Sequence, residues 1–298
     1  MLTLGESILA VKKSDLKETL RLIRHSSSIS AQAKRDHTRL TLECICDGLA
    51  SNTDELEEVS RNALFKPLKS TEETICDLVK NRFLTMEEES DNSQKSSALA
   101  PTQLGQATLA SALPPDAALF VFADLQQATR AVALDTELHM LYLVTPTNCS
   151  IWQGCDWNHL HSIFSKLQNE EKRVAKLVGA SDRFLLSRLR GTSTSSSDRS
   201  YQLHLRFFSA LALYEVVNEK PIDEVARRFR ISRGTLQTLQ QQSATYAAMV
   251  VAFCSRLGWT YLHDLLKGFA ARLAFGVRRE LTELVSIEGL DGSRLELL

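Results

Sequence analysis

The sequence predicts a mainly α-helical fold in about two domains, on three observations. Only 12 Gly and 6 Pro occur among 298 residues, too few for a β-rich sandwich or a run of tight turns. Leu, Ala, Glu and Arg, which favour helices, are abundant, and apolar residues recur at helical spacing in segment after segment. The length allows two cores at roughly 150 residues per domain. With 44% hydrophobic and 24% charged residues, collagen, a disulfide scaffold and a wholly disordered chain are excluded.

In the first third, Leu42, Ile45 and Leu49 form one apolar stripe. Asn52 followed by Glu55, and Ser70 followed by Glu73, read as helix starts whose side chains satisfy free backbone N–H groups. The helix after Ser70 sets Ile75, Leu78, Val79 and Phe83 on one side. Residues 87–101, EEESDNSQKSSALAP, lack apolar periodicity and read as a flexible connection or an extended wing. Three short helices and such a segment suit a winged-helix domain, although a small helical bundle would give a similar pattern.

Beyond Pro101 the helical pattern continues. Pro114-Pro115-Asp116 opens a helix with Leu119, Phe122, Ala123 and Leu125 on or near one face, because Pro fits the first turn and Asp suits its positive end. Helices are predicted over 156–167, 170–178 and 181–189, followed by a polar linker at 191–200, GTSTSSSDRS. So many amphipathic pieces pack naturally as a bundle.

The most informative stretch is PIDEVARRFRISRGTLQTL, residues 221–239, which reads as helix, tight turn, helix. Ile222, Val225, Ala226 and Phe229 share one face, Ile231 packs into the corner, Ser232 caps the second helix, and Leu236 and Leu239 continue the seam. Arg227, Arg228, Arg230, Arg233 and Gln237 are left as outward candidates, and guanidinium and amide groups are what phosphate and base contacts require. A helical corner of purely structural use is the alternative. Arg230 stands where such a turn often has Gly. Apolar positions at Tyr246, Val250, Phe253 and Leu257 prolong the second helix, to roughly 39 Å if unbroken from Ser232. Leu262, Leu265, Leu266, Phe269, Leu273 and Val277 predict one more helix, with Arg272, Arg278 and Arg279 adding positive charge.

The formal charge of −1 conceals an asymmetry. Residues 43–91 hold thirteen acids against five bases, 172–206 hold eight bases against two acids, and 221–280 hold nine bases against four acids. A polyanion is a plausible partner for the C-terminal half, solvated helix faces being the alternative. The six cysteines form no C-x-x-C pair and are expected to be reduced, mostly buried thiols. His159 and His161 lack ligand-spaced neighbours and read as surface or capping residues, and Trp152, Trp157 and Trp259 as packing residues more than as stacking platforms for bases. No signal peptide or membrane span is expected. Phosphate-loop, dinucleotide-binding, zinc-protease and nucleophile-elbow motifs are all missing.

Four stretches carry a resemblance to a known family: LGESIL at 4–9, LGQATLASAL at 104–113, LHMLYLVTP at 138–146, and RGTLQTLQQQSATYAAM with FCSRLGW and RLAFGVRREL in the last third. They resemble, in the same order and across nearly the whole chain, the superfamily 2 DNA helicases that comprise the helicase-like region of DNA polymerase theta and the helicase Q-like proteins. The resemblance implies a remnant of the second ATPase lobe at 1–12, a winged-helix domain at 13–100 and a helical domain at 101–298. It implies too that the long helix from Ser232 lines a single-strand DNA channel and acts as a ratchet. Arg227, Arg228, Arg230, Arg233, Gln237, Arg272, Arg278 and Arg279 are then expected to contact DNA, Arg233-Gly234 being the firmer match to the family.

The resemblance also implies what the chain lacks. Its ATP site, acidic metal-binding motif, arginine finger and polymerase domain are absent, so ATP and Mg belong to the full-length family and no cofactor or catalysis is expected of this chain alone. Met1 directly before the GES segment reads more economically as truncation of a larger protein than as a free-standing accessory. The expected role is a DNA-binding part of a nuclear helicase in double-strand break repair by alternative end joining. Its partners would be single-stranded DNA and the missing lobes or a separate ATPase chain, with no membrane. Two alternatives stay open: a helix-turn-helix regulator reading duplex sequence through Arg233, Thr235 and Gln237, and a helical scaffold that binds only protein.

Overall fold

The computed structural model describes residues 9–24, 34–63, 66–87, 98–130, 136–147, 155–191 and 198–275. Its N-terminal part comprises α1 (Leu16–Arg24), β1 (Lys34–Arg35), α2 (Thr38–Cys46), α3 (Thr53–Asn62), β2 (Lys66–Pro67), α4 (Thr71–Lys80), β3 (Leu84–Glu87) and β4 (Ala98–Pro101). β1 pairs in parallel with β2, and β3 pairs antiparallel with β4 in the register Leu84 to Pro101 through Glu87 to Ala98. Three helices and a two-stranded ladder make the winged helix.

The helix starts read from sequence are present. The Asn52 side chain accepts the Glu55 N–H at the head of α3, and Ser70 and Glu73 form a reciprocal box at the head of α4. One expectation fails. Leu49 is 71% exposed, because α2 ends at Cys46 and Gly48 takes φ +70°, so the helical period no longer governs Leu49. Leu42 and Ile45 remain in the core with Leu56, Ile75, Leu78 and Phe83.

The bundle comprises α5 (Gln103–Ala110), α6 (Pro115–Arg130), α7 (Glu137–Val144), α8 (Trp157–Ser165), α9 (Asn169–Val178), α10 (Asp182–Leu189), α11 (Arg199–Val217), α12 (Ile222–Phe229), α13 (Arg233–Arg256) and α14 (Thr260–Phe275). In α6 the buried face is Ala118, Val121, Leu125 and Ala128. Leu119 and Phe122 are half-buried and Ala123 is exposed, so the apolar face lies one residue back from the expected one. Helix α7 is buried at every position from Leu138 to Val144 and α11 nearly so, which makes these two the centre of the bundle. Among the described residues no single helix is long and apolar enough to cross a membrane.

The cysteines are less uniform than the sequence suggests. Cys44 and Cys254 are buried, Cys46 and Cys155 half-buried, and Cys76 exposed on α4; all five are free, and Cys149 lies outside the described residues. Burial pushes the Cys254 thiol up to about 12, so it is inert at neutral pH.

Helix α5 joins the two parts. The Thr102 N–H donates to Phe83 O (3.0 Å), its hydroxyl donates to Arg82 O (2.6 Å), and the same oxygen accepts the Gly105 N–H (3.1 Å). On its other side α5 packs on α13, where Gln103 Nε2 donates to Arg256 O at 3.3 Å. A Cβ at Gly105 would stand 2.3 Å from Phe83 O. Helix propensity alone predicts that Gly105→Ala stabilises by about 1 kcal/mol, but the obstacle is backbone and cannot rotate away. The variant is therefore expected to lose about 2 kcal/mol, read as a lower denaturation midpoint in urea.

His204 ties the α9–α10 junction to α11. Its Nδ1–H donates to Ser200 O (2.6 Å), Nε2 accepts the Ser181 N–H (2.9 Å), and the ring stacks on Phe184 at 4.1 Å. This arrangement fits only the neutral ring, and burial lowers its pKa below the ordinary value. The unfolded chain then takes up the proton first as pH falls. The contribution is complete above about pH 6.5 and is lost as pH drops below it. Urea midpoints at pH 7.5 and 5.5 should show this loss, and it should be smaller in His204→Gln.

Candidate nucleic-acid interface

The corner between α12 and α13 is built from alternating commitments. Val225, Ala226 and Phe229 are buried, with Asp223 and Glu224 in the first turn of α12 and Arg227 and Arg228 in the last, the order the helix dipole favours. Arg230 takes the left-handed conformation, φ 54° and ψ 41°, where Gly is the usual occupant. Its N–H and that of Ile231 satisfy the last carbonyls of α12, and Ser232 Oγ accepts the Thr235 N–H at 3.0 Å to start α13. The 24 residues of α13 run without a break.

One face of α13 is buried through Leu236, Leu239, Ser243, Ala247, Val250, Phe253 and Cys254. Helix α14 lies antiparallel along it, with Gln240 Nε2 donating to Leu273 O at 2.9 Å. Beside this seam runs an open groove of about 1270 Å³. Gly234, Gln237, Thr238, Gln241, Thr245 and Met249 line it on α13, together with Pro146 and Ala274, and among the described residues no Lys, Arg, Asp or Glu contributes to the lining. The groove thus offers amide and hydroxyl groups, which donate and accept, on a surface without formal charge.

Among the described residues, none of the arginines expected to contact DNA lines this groove. Arg227 is exposed and donates through Nε to Asp223 O (3.2 Å), while Arg228 pairs with Glu215 of α11, which also holds Lys220 at 3.3 Å. Arg230 pairs with Asp156 at 2.6 Å, beside His159, whose Nε2 donates to Arg228 O at 2.6 Å. Arg233 faces Asp223 at 3.6 Å. The exposed Arg230 and Arg233 pairs are worth about 0–1 kcal/mol, whereas Glu215 is buried, and each pair leaves a carboxylate next to any phosphate that replaced it. Gln237 is exposed and lines the groove. Arg278 and Arg279 lie outside the described residues.

Arg272 is a correction. It is only 3% exposed and donates to Glu137 at 2.8 and 3.5 Å, fastening α14 to α7, so it is not an open cation for a strand. Helical spacing places it on the inward side of α14, one residue before Leu273. The sequence reading also missed Gln240, Gln241, Thr238 and Thr245 as site residues, although a run of glutamines beside a leucine seam was visible.

A second omission is Arg206, 1% exposed at the centre of the bundle. Its guanidinium donates to Thr145 O (2.8 Å), Leu143 O (3.1 Å) and Asp124 Oδ2 (2.6 Å), and lies over the Tyr142 ring at 4.3 Å. Two of these partners are carbonyls at the C-terminal end of α7, which no helix bond satisfies. Arg206 thereby fixes the segment that delivers Pro146 to the groove.

An uninterrupted helix flanked by a polar groove thus follows a winged helix in one chain, a helix-turn-helix class of fold joined to a helical bundle. Comparison with known proteins supplies the family. The family described as the DNA polymerase theta helicase-like region, helical domain, matches residues 115–273, and a helix-turn-helix domain family matches residues 5–99. The chain is 50% identical to DNA polymerase theta of Caenorhabditis elegans and 32% identical to that of Mus musculus, in each case over 99% of its own length. It is 26% identical to the human protein named Helicase POLQ-like, again over 99%. The chain belongs to the DNA polymerase theta helicase-like family. It spans 18% and 13% of the length of the two polymerase theta relatives. The helix-turn-helix match falls on the winged helix, whereas the α12–α13 corner lies within the helical-domain match.

Arg206→Met would leave Asp124 and two carbonyls without their donor. A loss of about 3 kcal/mol or more is expected, measurable as a fall in unfolding free energy far larger than that of Arg230→Met, whose ion pair is exposed.

Proposed function

We propose that this chain is the strand-holding part of a DNA polymerase theta-like helicase region and that α13 lies along single-stranded DNA. The observation that carries the reading is the uncharged, amide-lined groove beside an unbroken 24-residue helix. Gln237 and Gln241, one helical turn apart, present groups that match the edges of unpaired bases and the sugar, while Thr238 and Thr245 add hydroxyls. In a duplex the Watson–Crick edges are already paired, so these side chains would find them free only on a single strand. Arg227 and, by exchange of their carboxylate partners, Arg228, Arg230 and Arg233 would supply phosphate contacts at the entrance, as would Arg278 and Arg279.

The setting proposed for this role is repair of DNA double-strand breaks by alternative end joining, in the nucleus. There ATP and Mg would act on ATPase lobes outside this chain, and the chain would keep the strand engaged while those lobes move. Catalysis is not assigned to the chain by itself.

Fluorescence anisotropy with a labelled single strand and a matched duplex tests this. The single strand should bind more tightly, and Gln237→Ala/Gln241→Ala should weaken it about tenfold, as expected for two hydrogen bonds of about 0.5–1.5 kcal/mol each. Preference for one defined duplex sequence would overturn the reading in favour of a helix-turn-helix regulator. No binding to either DNA by the folded chain would leave a protein scaffold.

A further inference from the structure

We propose a second nucleic-acid contact: Lys172 and Lys176 of α9 line a cleft that holds backbone phosphates of a single strand. The inference rests on the reading that the chain binds single-stranded DNA, and adds where the phosphate charge is met. Among the described residues the α13 groove carries no charged lining residue, and three of the four corner arginines are paired with carboxylates of the protein. Along the described groove a strand meets amides and hydroxyls, so phosphates beyond the reach of the corner arginines would still carry their negative charge.

The cleft has a volume of about 510 Å³ and shares no lining residue with the groove. Lys172 and Lys176 stand one turn apart on the same face of α9, about 5–6 Å between Cβ atoms. Opposite them are Phe164 and Ser165 at the end of α8, with Gly179 and Ala180 of the connection to α10. Both lysines are exposed, and neither forms an ion pair among the described residues. Two carboxylates of this region are hydrogen-bonded within the protein. Asp182, which also lines the cleft, receives His161 Nε2 at 3.0 Å, and Glu171 accepts the Gln168 N–H at 2.8 Å in the first turn of α9.

Ammonium groups over a small apolar floor suit a phosphate as a point charge, without base readout. Lys166, Arg173, Arg183 and Arg190, on or beside α8 to α10, are exposed as well, so the positive charge of this region suits a polymer more readily than one small anion. A phosphorylated peptide would demand a side-chain pocket beside the phosphate, which the open apolar floor does not shape.

The test is anisotropy of a labelled thirty-nucleotide oligothymidylate with the full chain across a sodium chloride series. Wild type, Lys172→Glu/Lys176→Glu and Gln237→Ala/Gln241→Ala are compared, with circular dichroism melts confirming that each is folded. Each phosphate contact on a single strand contributes about 0.7 to the slope of log affinity against log salt, so the lysine variant should lower that slope by about 1.4 and weaken binding at low salt. The glutamine variant should weaken binding with the slope unchanged. Wild-type binding with unaltered affinity and slope in the lysine variant would overturn this inference and leave the proposed function standing. Absence of wild-type binding would overturn both. Loss in the lysine variant of binding to a labelled phosphoserine peptide, with DNA binding intact, would also overturn it.

Discussion

The bundle depends on one buried cation. Arg206 is too long and too polar to be left in an apolar interior, and the effective penalty for burying an unpaired ion is several kcal/mol. The cost is met only because α6 supplies Asp124, α7 supplies two carbonyls, and Tyr142 supplies an aromatic face. Those partners come from two helices, and the guanidinium from a third, so their relative positions are fixed together. Apolar contacts allow some sliding between helices, whereas four directed contacts on a planar group do not. Arg272 and Glu137 repeat the device at the other end of α7. The wall of the groove opposite α13 is therefore held by polar groups at both ends.

Charge in this protein divides into cations that hold the fold and cations that face solvent. The arginines of the α12–α13 corner sit between these classes, since they are exposed but paired. Asp156, which receives Arg230, is also the N-cap of α8, and its carboxyl is held below its ordinary range, first by the His159 N–H and also by Arg230. The corner is thus tied to α8 by the same group that starts α8. Lysines are preferred at the solvent-facing positions of α9, where a mobile ammonium stays hydrated and free of the rigid fork geometry that recruits carboxylates to arginine.

Much of the fold was legible in the sequence, because it is written in local signals. Asn52, Ser70 and Ser232 announce helix starts through short side chains that reach their own backbone, and the seam of α13 follows from a period that holds over six turns. Pairing information is not local. Nothing near Arg206 distinguishes it from a surface arginine, because its partners lie 61 to 82 residues away. Arg272 was misplaced for the same reason, its carboxylate being 135 residues distant. The candidate site was legible as a helix and only partly as chemistry: the arginines draw the eye in a sequence, but the neutral glutamines occupy the groove. Arg230 adopts the conformation expected of the glycine it replaces, at a cost its neighbours offset through a capped turn and an ion pair.

The close approach at Gly105 bears on how the two matched regions relate. The carbonyl of Phe83, at the mouth of the winged helix, receives the N–H of Thr102, and α5 fits against Leu42 only because Gly105 has no side chain. In chain order α5 belongs with the bundle; in packing it closes the winged helix too. A cut at 100/101 would therefore strip the winged helix of a lid over Leu42 and Phe83, while α5 stayed on α13 where Gln103 reaches Arg256. Because α5 is bonded to Phe83 through Thr102 and to Arg256 through Gln103, the winged helix and the C-terminal end of α13 rest on one common support.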